Sequence, residues 1–94
     1  GKDLRLDLPI ALDEAILGAK VRAPTLDGEV ELTIPAMTSS GKTFRLRGKG
    51  MPAEGGPGDL YVTVRIVLPE ASADLEGFAR VLKDRRKADP RESL

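Results

Sequence analysis

The sequence predicts a mainly β protein: a small antiparallel β-sandwich with a short inserted helix and a C-terminal helix. Three observations lead there. Apolar residues alternate with period two in several runs between residues 3 and 68. Gly, Pro and Asp-Gly turn signals separate those runs. Only after Ser72 does the apolar spacing become helical. At 94 residues the chain makes one domain. A chain of this size buries roughly 64% of its unfolded surface, so its core is thin.

The elements follow in order. Residues 3–8 place Leu4, Leu6 and Leu8 on one face of a strand, and Pro9 is expected to end it. Residues 12–17 read as a short helix, with Leu12, Ala15 and Ile16 on one side and Asp13 and Glu14 in the first turn. Gly18 is placed to turn the chain out of it. Residues 19–25 and 29–34 form two strands, the second facing Val30, Leu32 and Ile34 inward. Leu26-Asp27-Gly28 joins them as a hairpin. Residues 35–42 are a polar loop, and 43–47 a strand with Phe44 and Leu46 inward, Arg45 and Arg47 outward. Residues 48–58 carry five of the ten glycines and two prolines, hence a loop. Residues 59–68 are the longest strand, with Leu60, Val62, Val64, Ile66 and Leu68 on one face. In the final helix Leu75, Phe78, Ala79 and Leu82 make an apolar stripe, Ser72 or Asp74 caps the start, and the helix ends near Lys87, before Pro90. The boundaries are 1–70 for the β-sandwich, 71–88 for the helix and 89–94 for a frayed tail.

Composition narrows the function. Fifteen Lys and Arg balance fifteen Asp and Glu, so no general electrostatic attraction to nucleic acid or acidic membrane is expected. The absence of Cys and His excludes thiol nucleophiles, cysteine zinc sites and the usual general base. No apolar run nears the ~20 residues that cross a bilayer, so no membrane partner is expected. Asp13 and Glu14 are adjacent on a helix and point apart, and Ser39 and Ser40 have no base to activate them. No enzyme activity, cofactor or metal is expected.

Two motifs invite a ligand. Ala36 to Thr43 satisfies a relaxed phosphate-loop pattern, but such a loop needs a helix opening at its Gly-Lys-Thr. The period-two run after Thr43 predicts a strand instead, and the nucleotide reading falls. Lys42, Arg45, Arg47 and Lys49 place four cations without an acid within residues 40–50. They are either a solvated face or a patch for an acidic partner, a peptide tail or DNA phosphate.

The order of motifs resembles a known family. Leu6-Asp7-Leu8-Pro9-Ile10-Ala11-Leu12-Asp13-Glu14-Ala15-Ile16-Leu17-Gly18 looks like the opening of a DnaJ-family C-terminal domain. Val21-Arg22-Ala23-Pro24-Thr25-Leu26-Asp27-Gly28, the segment Ser40 to Gly50 and Gly58-Asp59-Leu60-Tyr61-Val62 resemble successive motifs of the second such domain. The ending Ala88-Asp89-Pro90-Arg91 resembles the bacterial curved-DNA-binding protein A branch.

The resemblance implies one module of a longer co-chaperone, cytoplasmic and bacterial, with nucleoid association open in that branch. Such a module binds unfolded or extended polypeptide, forms a homodimer and presents clients to a DnaK-type ATPase, with DNA as the alternative partner. The family's peptide lies along a strand edge beside an apolar depression. By position the resemblance puts that depression at Leu6, Leu8, Ala23, Thr25 and Val62. Small Ala23 and polar Thr25 imply a shallow, weak groove. The dimer contact falls on Leu75, Phe78, Ala79 and Leu82.

Overall fold

Strand β1 (Leu4–Ala11) lies parallel to β5 (Leu60–Val67), and β4 (Thr43–Leu46) lies antiparallel on the other side of β5, giving a three-stranded sheet of order β1-β5-β4. Strands β2 (Ala19–Thr25) and β3 (Gly28–Ile34) form the expected hairpin as a second sheet. Helix α1 (Leu12–Leu17) connects β1 to β2, and α2 (Ala73–Arg85) follows β5. The structure, a computed structural model, describes residues 2–94.

The core lies between the two sheets. Leu8 and Ile10 of β1, Leu60, Val62 and Val64 of β5, Ala23 of β2 and Leu32 and Ile34 of β3 meet there, closed at one end by Ala15 of α1. Every strand enters through the period-two face its sequence marks. Leu68 is the exception: β5 stops at Val67, and Leu68 beyond it is exposed. No charged or polar residue is buried among the described residues, so the core is held by apolar burial and packing alone.

Pro9 does not end β1, which runs on to Ala11. The ladder explains why. The Leu4 N–H donates to the Asp59 carbonyl at 2.8 Å, and in a parallel pair alternate residues face the neighbour. Even-numbered residues of β1 therefore bond to β5, and odd-numbered ones point away from it. Pro9 stands where no donor is needed, on an edge strand. The Glu14 carboxylate then accepts from the Ala11 N–H at 2.8 Å and starts α1.

Helix α2 begins as expected, with the Ser72 hydroxyl oxygen accepting from the Leu75 N–H at 3.0 Å. It ends at Arg85, two residues before Lys87, and none of its residues is buried. The molecule measures 55 × 30 × 18 Å with a radius of gyration of 17.0 Å. A compact chain of this length would have about 12 Å. The helix therefore stands out from the sandwich.

Candidate functional site

The outer edge of β1 is open. By the alternation set at Leu4, the N–H and C=O groups of Arg5 and Asp7, and the Pro9 carbonyl, face away from β5. Beside this edge is a depression of about 280 Å³, walled by Leu4, Arg5, Leu6, Pro24, Thr25, Leu26, Lys49 and Leu60. Five segments build it: the start of β1, the end of β2, its turn, the loop after β4 and the start of β5. The turn is short because β2 and β3 pair as far as Thr25 and Gly28. The Thr25 hydroxyl donates to the Gly28 carbonyl at 2.5 Å and accepts from the Asp27 N–H at 3.2 Å. Its hydroxyl is thus engaged inside the turn.

Of the five residues assigned by resemblance to the depression, Leu6 and Thr25 line it. Ala23 and Val62 have no exposed surface, and Leu8, 9% exposed, is not among the lining residues, so these three belong to the core. The period-two pattern identifies their face correctly, but a face has both depth and rim. The rim residues Leu4, Pro24 and Leu26, and the buried Leu60 that also lines the depression, are not assigned to it by the resemblance. Leu26, 60% exposed in a turn beside a proline, is the signal that marks them.

The four cations do not form one patch. The Arg45 Nε and Nη2 donate to Asp59 Oδ2 at 2.7 and 2.6 Å, and the Gly48 N–H donates to Asp59 Oδ1 at 2.9 Å. The Gly48 amide, then Arg45, holds the Asp59 carboxyl below the usual aspartate range, and the hydrogen bond to Asp59 raises Arg45 in turn. Lys49 belongs to the wall of the depression. Of the four, Lys42 and Arg47 remain as exposed cations free of a described ion pair. The cation count missed this because Asp59 arrives from a segment fourteen residues away. On the outer face of the sheet Arg5 lies over the Tyr61 ring, 5.2 Å from its centre.

The segment that mimics a phosphate loop has four of its amides engaged within the fold. Met37 and Thr38 donate to the Ile16 and Ala15 carbonyls at the end of α1, Gly41 donates to Val64, and Lys42 to Ser39. Thr43 opens β4, not a helix. Phosphate is offered no helix N-terminus here. Titration calorimetry with ATP and magnesium is expected to give no saturable heat. Micromolar binding abolished by Lys42→Ala would overturn this.

The described residues contain no group of His, Cys, Asp or Glu arranged to hold a metal. None of the described helices is long and apolar enough to cross a membrane.

A two-sheet β domain with an open edge strand beside an apolar depression has the architecture used by modules that accept an extended chain by strand addition. Residues 1–69 match the family described as the DnaJ C terminal domain, and the chain belongs to that family. It is 54% identical over 86 residues to the chaperone protein DnaJ of Natronomonas pharaonis, covering 84% of this chain and 23% of that protein. It is 43% identical over 95 residues to the curved DNA-binding protein of Coxiella burnetii, covering 100% of this chain and 30% of the relative. With chaperone protein DnaJ 2 of Thermus thermophilus the identity is 49% over 70 residues, 74% of this chain and 25% of the relative. The chain thus spans 23–30% of the length of these curated relatives.

Proposed function

We propose that this chain is the second C-terminal domain of a DnaJ-like co-chaperone, which takes up unfolded polypeptide in extended form along the edge of β1. The observation that carries the reading is the open edge of β1 running beside the apolar depression. Backbone donors and acceptors at Arg5 and Asp7 serve any extended chain, which gives affinity without regard to sequence. The depression accepts an apolar side chain, and its shallow walls keep each contact weak. Two copies joined through α2 would raise the effective concentration of the second contact. In the whole cytoplasmic protein the held client would be presented to a DnaK-type ATPase.

Amide chemical-shift mapping with a denatured client tests the reading. Shifts are expected at Arg5, Leu6, Asp7 and Leu26, and Leu6→Lys is expected to weaken binding severalfold by placing a charge in the apolar wall. Shifts confined to Arg45 and Arg47 would sink it.

The second reading is DNA binding, favoured by identity along the whole chain to a protein named for curved DNA. Salt separates the two: phosphate contact weakens steeply as salt rises, and apolar peptide binding does not. Pairing of Arg45 with Asp59 weighs against the basic strand as a phosphate surface.

A further inference from the structure

We propose that Asp59 is the positioning residue of the depression, a clasp that holds three of its walls in register. The proposal rests on the peptide reading of that depression and adds to it a residue that does not itself line the wall. All four polar atoms of Asp59 are engaged in hydrogen bonds. Its Oδ1 accepts from the Gly48 N–H at 2.9 Å, and its Oδ2 from Arg45. Its backbone N–H donates to Asp3 Oδ1 at 2.8 Å, and its carbonyl accepts from the Leu4 N–H at 2.8 Å. Leu4, Lys49 and Leu60 line the depression. Leu4 is bound directly, Lys49 follows Gly48 in the chain, and Leu60 follows Asp59. One residue thereby sets the spacing between the start of β1, the loop after β4 and the start of β5.

The clasp lies at the lip and outside the core. Neither Asp59 nor Asp3, Leu4, Arg45 or Gly48 is among the fully buried residues. The Asp59 side chain is 17% exposed, against 51% for Arg45, so the carboxylate sits inside the lip and the guanidinium closes over it. Both carboxylate oxygens face donors. An asparagine there would turn one oxygen into an NH2 group, opposing either the Gly48 amide or the guanidinium. Asp59→Asn therefore breaks one side of the clasp with almost no change in volume, and Arg45→Gln breaks the other from the exposed side.

Two measurements on the full chain test this. In amide hydrogen exchange, both variants are expected to expose the Leu4 and Gly48 amides faster while Val64 and Leu32 in the core keep their protection. In fluorescence anisotropy with a labelled, unstructured Leu-rich peptide, both are expected to bind about fivefold more weakly than the parent. Equal peptide affinity together with unchanged exchange at Leu4 and Gly48 overturns the proposal. So does faster exchange spread evenly into the core, which is what a merely structural residue would give. If Asp59→Asn does not fold, Arg45→Gln decides alone. A parent that leaves the peptide unbound sinks the peptide reading. The clasp is then judged by exchange: acceleration confined to Leu4 and Gly48 keeps it, and none ends it.

Discussion

Gly50→Ala is expected to destabilise the domain by about 3 kcal/mol and to lower its melting midpoint by about 15 °C. A Cβ at Gly50 would stand 2.6 Å from the Asp59 carbonyl oxygen and from the Gly58 carbonyl carbon, and 2.7 Å from the Asp59 nitrogen. These are backbone atoms, so no side chain can swing aside. They are also fixed: the Gly50 N–H donates to the Gly58 carbonyl at 2.9 Å, and the Gly58 N–H donates to the Met51 carbonyl at 3.0 Å. Gly58 is packed as closely, its added Cβ falling 2.3 Å from the Lys2 carbonyl oxygen. The glycine-rich stretch thus returns the chain from β4 to β5 with its backbone too close-packed for a side chain at Gly50 and Gly58. Thermal melts followed by circular dichroism check this, with Gly77→Ala as control. Gly77 sits in α2 with nothing near its missing side chain, and alanine there should stabilise the helix by about 1 kcal/mol. A Gly50→Ala midpoint within about 2 °C of the parent, well inside one kcal/mol, would refute the account.

Sedimentation of the parent at high micromolar concentration is expected to show a dimer, and Leu82→Asp a monomer. An isolated helix of about thirteen residues is marginal in water. Yet α2 has no buried residue, and Phe78 and Leu82 remain about half exposed. Val81, 45% exposed, widens the apolar side beyond the stripe seen in the sequence. A helix so placed needs a second surface. The sandwich of its own chain does not supply it, and a second copy bringing the same stripe would. Covering what remains exposed of Leu75, Phe78 and Leu82 would contribute roughly 2–4 kcal/mol before the entropy of association offsets part of it. An aspartate at Leu82 would be desolvated in that contact without a partner. A parent that stays monomeric at that concentration, unchanged by Leu82→Asp, rules the dimer out.

How much was legible in the sequence depends on how far apart the interacting residues lie. The extents of α1 and β2, the hairpin turn and the Ser72 cap all follow from neighbours a few residues apart. The family motifs were equally legible, being contiguous strings. The parallel pairing of β1 with β5 was not, because strict alternation is the same for either direction. Pro9 looked like a stop for the same reason: only the partner strand decides which side of β1 requires donors. The depression was half legible. Leu6 and Thr25 line it, while Leu8, Ala23 and Val62 are buried in the core. The basic cluster looked free because Asp59 is distant in sequence and only folding brings it onto Arg45.

By itself, then, the sequence determined the mainly β class, the places where strands begin and turn, and the family, since each depends on local backbone preference or on unbroken motifs. Only the tertiary structure decided which apolar residues are core and which are rim, which edge stays open, and which cations keep a free charge. Those depend on register between distant strands, and register is set by the packing of the whole core, to which no single run of residues gives access.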